Sequence, residues 1–190
     1  MEIGAIVVIL VALAFDFTNG FHDAANSTST VVATRAMQPR HAVYMAAFFN
    51  FAALFVVGTA VANTVAKTVQ VEELGVQSGG VPVGLGVAFG ALLGAIFWNY
   101  FTWSIGMPSS SSHALIGGLI GAAVAKAGVG ALITSGVMKT VLFIFVSPFL
   151  GFLLGTLLMI LVAWVLRRTA PRRVDRWFRR LQLVSAAFYS

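Results

Sequence analysis

Long apolar segments alternate with short polar ones along this chain. Continuous apolar stretches at 42–66, 83–103 and 137–166 each predict a transmembrane helix, because a hydrocarbon core about 30 Å thick needs about 20 apolar residues to cross it. Two further segments, 2–34 and 104–127, are apolar over most of their length but contain polar interruptions. The pattern predicts an all-α, polytopic membrane protein with about five spans, two of them broken or re-entrant.

The first interruption is a polar run at 17–30. Asn19 and Gly20 both accept left-handed backbone angles, which favours a helix break. A straight helix through this whole segment would be about 50 Å long, well beyond the hydrocarbon core. We therefore predict a break near Asn19-Gly20 and a half-helix opening near His22-Asp23. The alternative is a solvated loop between two short helices.

The second interruption is Pro108 followed by four serines at 109–112. Proline suits the first turn of a helix and serine hydroxyls cap free amides, so the segment predicts a helix start. A helix N-terminus with free N–H groups and a partial positive charge attracts anions. A capped helix without a ligand is the alternative. Two interrupted helices within the membrane are typical of a transporter, which favours one oxyanion site shared by both helices.

The carboxylate of Asp23 conflicts with a bound dianion. At a separation of about 5 Å and an effective dielectric constant of about 20, each pair of like unit charges costs roughly 3 kcal/mol. A cation is therefore expected between them. It would be sodium, held by Asp23 with oxygens of Asn19, Asn26 or Ser27, or it would be a proton. Asp16 is a second candidate for the proton.

Composition and charge narrow the class of protein. With 59% hydrophobic residues, 9% charged residues and a mean hydropathy of +0.93, the chain is not a soluble domain. Of its twelve basic residues, seven are arginines that follow the last apolar segment at 167–180. By the positive-inside rule this cluster predicts a cytoplasmic anchor whose partner is anionic membrane lipid rather than nucleic acid. No cofactor other than the coupling ion is expected.

The isolated polar residues are interpreted as structural rather than as ligands. Asn50 and Asn99 are interpreted as interhelical hydrogen-bonding residues. His22, His41 and His113 are scattered along the chain, which favours helix capping or pairing over metal ligation.

The loop charges predict how the chain crosses the membrane. Arg35, Arg40 and the arginine cluster are expected in the cytoplasm, and the acidic loop at 67–82 outside. This gives five spans with the N-terminus outside, and a duplicated repeat with an odd number of spans produces an inverted repeat. The predicted organisation is a transmembrane repeat at 1–166, a basic cytoplasmic loop at 167–180 and the start of a further helix at 181–190.

Two motifs occur in a fixed order. The first is NGFHDAANS, from Asn19 to Ser27; the second is PSSSSHALIG, from Pro108 to Gly117, and Trp98-Asn99 precedes it. In these motifs and their spacing the whole chain resembles the inorganic phosphate transporter (PiT) family. The resemblance implies phosphate uptake coupled to sodium or protons, at a site between inverted repeats in the cell (inner or plasma) membrane.

The resemblance also implies roles for residues of both motifs. Asp23, with Asn19 and Ser27, is expected to couple the cation, which would be sodium or a proton. The residues expected to contact phosphate are Asn26, Ser110, Ser111 and Ser112.

The family carries a second signature of similar form in a second half, and residues 183–190 resemble the helix that leads into it. The chain therefore resembles a first half, and the missing second half is an expected partner. A homodimer with antiparallel subunits would restore that half in principle, but the arginine cluster biases every copy to one orientation.

Three other functions remain as alternatives. One is a permease of the same fold for sulfate or another oxyanion, and one is a passive anion channel. The third is an intramembrane serine hydrolase that uses Ser112, His113 and Asp23. Because adjacent helix residues do not face each other, Ser112 could not use His113 as its base, and the protein is expected not to be an enzyme.

Overall fold

The computed structural model describes residues 3–57 and 83–189. All the secondary-structure elements in these ranges are helices, which confirms the all-α prediction. The helices are α1 (Ile3–Ala33), α2 (Pro39–Val57), α3 (Val83–Ser104), α4 (Ser111–Ala127), α5 (Thr134–Leu166) and α6 (Pro171–Tyr189). A short 3-10 turn, Val129–Ala131, lies between α4 and α5.

Three of the described helices are long and apolar enough to cross a membrane: α1, α3 from Gly84, and α5. They coincide with the predicted segments at 2–34, 83–103 and 137–166. The predicted span at 42–66 begins within α2, but its second part and the acidic loop at 67–82 lie outside the described residues. Membrane crossing by α2 and by the 17-residue α4 stays a prediction.

The predicted break at Asn19-Gly20 is wrong, because α1 runs without interruption from Ile3 to Ala33. A helix satisfies its backbone groups internally, whereas a break at membrane depth exposes them. The hydroxyls of the polar run also bond within the helix. Thr18 Oγ1 donates to the Phe15 carbonyl at 2.8 Å, and Thr28 Oγ1 donates to the Ala24 carbonyl at 2.6 Å. Tilt and extension beyond the core accommodate a helix of this length.

Helices α3 and α4 pack closely through small residues. Gly118 lies against the backbone of Ala91, and a Cβ at Gly118 would overlap the Ala91 carbonyl. Ala91 and Ala95 on α3, and Ala123 on α4, are buried. Small residues allow close backbone approach and are a common basis of helix association in membranes.

Two other apolar clusters connect α1 to the rest of the fold. Phe15 packs with Leu92 and Ala95 of α3. Near the C-terminal end of α1, Val31 packs with Ala42 of α2 and with α6. Helix α1 therefore contacts α2, α3 and α6 along its length.

The arginine-rich segment is a helix rather than the predicted loop. Helix α6 begins at Pro171, so most of the expected loop at 167–180 and the expected helix from 181 form one amphipathic element. Apolar residues recur along one of its faces and arginines occupy the others, a pattern that favours a helix at a boundary between apolar and polar surroundings. Helix α5, which precedes it, has no buried side chain.

We predict that Gly118→Ala destabilises the protein by about 1–3 kcal/mol, because the added methyl group would separate α3 from α4. Gly121→Ala is the matched control, since a Cβ at Gly121 meets nothing within 4 Å. The control is expected to be neutral or to gain up to about 1 kcal/mol from helix propensity. Thermal unfolding in detergent, followed by circular dichroism, measures both. Equal changes in the two variants would contradict the packing described for Gly118.

Candidate functional site

The two polar segments of the sequence lie together in the structure. The Oγ of Ser111, at the start of α4, donates a hydrogen bond to Oδ1 of Asn19 in the middle of α1. Ser111 is buried and Asn19 is half-buried. The expected proximity of the two segments is confirmed, although only the second of them begins a helix.

Ser110 caps the start of α4. This residue is the N-cap, and its Oγ accepts a hydrogen bond from the His113 backbone N–H at 3.3 Å. Pro108 lies before the cap, so its predicted place in the first helical turn is wrong. Gly106 turns the chain after α3 with φ of +67°, a value that favours glycine. The N–H groups of the first helical residues have no acceptor within the helix.

On α1, the residues expected to hold a cation share one helix face. Asn19, Asp23 and Ser27 follow each other at intervals of four, and side chains at this spacing are neighbours. Asp23 is half-buried and Ser27 is buried. The Oγ of Ser27 donates to the Ala24 carbonyl at 3.3 Å, which leaves its lone pairs free to accept. Within residues 3–57 and 83–189, no basic side chain forms an ion pair with Asp23.

The residues expected to bind phosphate are not gathered in one cavity. Ser110 lines a cleft of about 430 Å³ beside α3 and α4, together with Trp98 and His113. Asn26 lines a separate cleft of about 790 Å³ between α1 and α6, together with Ser27. Asn26 and Ser112 are exposed. Along α1, Asn26 lies about 10 Å beyond Asn19, at about 1.5 Å per residue.

Further polar contacts lie beside the contact between Ser111 and Asn19. Sequence reasoning did not predict them. Nε2 of His22 lies 2.7 Å from the Asn99 carbonyl oxygen. Thr102 Oγ1 lies 3.1 Å from the same oxygen and 3.0 Å from Ser109 Oγ. These bonds connect α1, α3 and the segment before α4. The hydroxyls at Thr102 and Ser109 are visible in the sequence, but the acceptor that Thr102 shares with His22 is a backbone carbonyl, for which no sequence signal exists.

This contact gives His22 a hydrogen-bond partner on α3, whereas the interpretation of Asn99 needs correction. The interhelical bond uses the Asn99 backbone, and among the described residues its fully buried side chain has no hydrogen-bond partner. Asn50 is exposed on α2. His41 and the side chain of His113 are also exposed, although the His113 backbone N–H takes part in the cap of α4.

Comparison with known proteins identifies the family to which this chain belongs. The family model described as "Phosphate transporter family" matches residues 19–178, a range that contains both motifs. The chain belongs to this family. No solved structure matches the chain.

Three bacterial relatives illustrate the similarity, and each is named a probable low-affinity inorganic phosphate transporter. The Rhizobium meliloti protein is 50% identical over 183 residues, which cover 96% of this chain and 52% of that protein. The Bacillus subtilis protein is 43% identical over 97% of this chain and 54% of its own length. The Streptomyces halstedii protein is 49% identical over 98% of this chain and 84% of its length. The chain thus spans about half the length of the first two relatives.

We predict that Ser111 and Asn19 are energetically coupled. In a double-mutant cycle of Ser111→Ala and Asn19→Ala, the coupling energy is expected to be about 0.5–1.5 kcal/mol, the net value of a hydrogen bond. The free energy of unfolding in mixed micelles, titrated with a denaturing detergent, is the measurement. Ser112→Ala, paired with Asn19→Ala, is the control and should give a coupling energy near zero, because Ser112 is exposed. Similar coupling in both cycles would contradict the contact.

Proposed function

We propose that this chain forms the N-terminal half of a cation-coupled inorganic phosphate symporter in the bacterial cell membrane. The observation that carries the proposal is the hydrogen bond from Ser111 to Asn19. This bond joins the N-terminus of α4, where anions are attracted, to Asn19, which precedes the carboxylate of Asp23 by one turn of α1. The names of the relatives support phosphate as the anion.

The start of α4 supplies donors for an oxyanion. The Oγ of Ser110 accepts the capping bond from His113, so its own proton stays available for donation to a ligand. The backbone N–H groups of Ser111 and Ser112 add donors without a helical acceptor. In the proposed site these groups bind two or three oxygens of phosphate. Asn26 belongs to the separate cleft, where it would contact phosphate only as the ion enters or leaves.

The face of α1 supplies acceptors for the coupling ion. Asp23 contributes a carboxylate, and Asn19 and Ser27, one turn to either side, contribute neutral oxygens. Such a set suits sodium, which like other hard cations binds oxygen ligands. Protonation of Asp23, or of Asp16 two turns earlier, is the other route. Either cation cancels the repulsion between the carboxylate and phosphate, so that binding of the two ions is coupled.

A second half completes the site in this proposal. The clefts beside Ser110 and Asn26 are open, and relatives such as the Rhizobium meliloti protein contain about twice as much sequence. An inverted repeat would bring a second helix N-terminus to the same depth. A homodimer of this chain would need antiparallel subunits to do so, and the arginine cluster disfavours that arrangement.

Uptake of labelled phosphate into proteoliposomes tests this proposal. The chain and the longer Rhizobium meliloti relative are reconstituted in parallel, and sodium and proton gradients are imposed separately. Uptake that requires one of the gradients supports symport, whereas equal flux without a gradient indicates a passive channel. Excess sulfate is added as a competitor. Stronger inhibition by sulfate than by unlabelled phosphate would indicate a different oxyanion permease.

We predict that Asp23→Asn reduces cation-coupled uptake by at least tenfold in whichever form transports phosphate, because it removes the charge on which coupling depends. A loss of this size corresponds to about 1.4 kcal/mol, slightly less than a hydrogen bond to a charged group contributes. Asp16→Asn is the comparison of identical chemistry at the other candidate carboxylate, which is exposed and lies two turns away. Initial rates under the driving gradient are compared. Small and equal effects of the two substitutions would refute the role of Asp23.

A further inference from the structure

The last two helices enclose an apolar cleft that transport does not explain. Helix α5 ends at Leu166 and α6 begins at Pro171, so a short turn joins the two helices. Between them lies a cleft of about 490 Å³. Its walls are apolar side chains at helical spacing, such as Leu161 and Val165 on α5 and Val174 and Trp177 on α6.

The charge around this cleft is strongly positive. Arg173 lines the cleft itself. The other six arginines of the cluster are also exposed, two in the turn and four on α6. Asp175 is the one acidic residue in the sequence from 134 to 190, and it pairs with Arg179 at 3.5 Å. The cleft is therefore apolar inside and cationic at its edge.

Two tryptophans indicate that the cleft lies at the membrane boundary. Trp164 and Trp177 are 63% and 66% exposed, and exposed tryptophan is enriched at the level of lipid headgroups. The guanidinium of Arg167 lies 5.3 Å from the centre of the Trp164 ring. Below this level, α5 presents apolar side chains without burying any of them. An occupant of the cleft thus has one end among hydrocarbon and the other among arginines.

We infer that the α5–α6 cleft binds an anionic phospholipid, with an acyl chain between the two helices and the headgroup phosphate on Arg173. Charge complementarity selects this occupant, because an apolar body with an anionic end matches both parts of the cleft. A zwitterionic lipid would match only the apolar walls, and free phosphate only the arginine. The inference requires α5 to lie in a membrane, but it does not depend on phosphate transport.

Quenching of Trp177 fluorescence by brominated lipid tests the site. In the full chain, Trp98, Trp103 and Trp164 are replaced by phenylalanine, so that Trp177 is the remaining fluorophore. The protein is reconstituted in vesicles of phosphatidylglycerol and phosphatidylcholine at fixed mole fractions. In one set of vesicles the phosphatidylglycerol is brominated, and in the other set the phosphatidylcholine is brominated. The anionic lipid is expected to associate with Trp177 about fivefold more strongly, equivalent to about 1 kcal/mol for one arginine at an anionic surface.

Two variants and one control distinguish a specific lipid-binding site from general electrostatic attraction between the arginines and anionic lipid. Arg173→Gln should abolish most of the preference, and Val165→Phe should reduce it without a change of charge, because the larger side chain fills the cleft. Arg176→Gln removes the same charge from the same helix outside the cleft lining, so the preference should persist. Equal losses in Arg173→Gln and Arg176→Gln would show general attraction and overturn the inference.

Other occupants would give different results, each of which overturns the inference. If another protein segment or a second copy covers the cleft, neither brominated lipid quenches Trp177. If the arginine binds free anion, excess inorganic phosphate abolishes the preference for phosphatidylglycerol. Should the single-tryptophan form fail to fold, native mass spectrometry of the unmodified chain counts retained phosphatidylglycerol. Retention that falls in Arg173→Gln but persists in Arg176→Gln supports the site, and equal retention refutes it.

Discussion

The hydrogen bond between Ser111 and Asn19 is the contact on which the candidate site depends. Polar side chains at membrane depth need partners within the protein, and this pair satisfies two of them at once. It also fixes the first turn of α4 against the middle of α1. The neighbouring bond from His22 to the Asn99 carbonyl holds α3 at the same level. Three helices therefore meet at the site proposed for phosphate and its coupling ion.

Packing outside the site supports this arrangement. Close contact between Gly118 and Ala91 keeps α3 and α4 together, and the turn at Gly106 returns the chain toward α1. Without that close packing, the cap at Ser110 would have no fixed position relative to Asp23. The small residues of these helices thus fix the position of the helix N-terminus that the proposed site uses.

Sequence reasoning predicted the all-α fold and the proximity of the two polar segments, because both follow from hydrophobic pattern and from the cost of polar groups in a bilayer. It was wrong about the break in α1. The Asn19-Gly20 pair permits a break but does not require one, and Thr18 and Thr28 show that short hydroxyl side chains can bond to carbonyls of their own helix. Local propensity was therefore outweighed by backbone hydrogen bonding.

Other features were missed for different reasons. The contact of His22 with the Asn99 carbonyl joins positions 77 residues apart, and a backbone acceptor leaves no trace in the sequence. For the segment after Leu166, charge predicted the side of the membrane but not the conformation. The helical period of its apolar residues, which include Val174, Phe178 and Leu181, was the signal that could have revealed α6.

The continuity of α1 changes how coupling is expected to work. In a broken helix, unwound backbone carbonyls can bind the cation directly. In α1 those carbonyls are engaged in helical hydrogen bonds, so in the proposed site the coupling ion would be held by side chains such as the carboxylate of Asp23. Among the described residues, the proposed site then uses one helix N-terminus, at Ser111, instead of two. A second anion-binding helix end is what an inverted repeat would provide in that proposal.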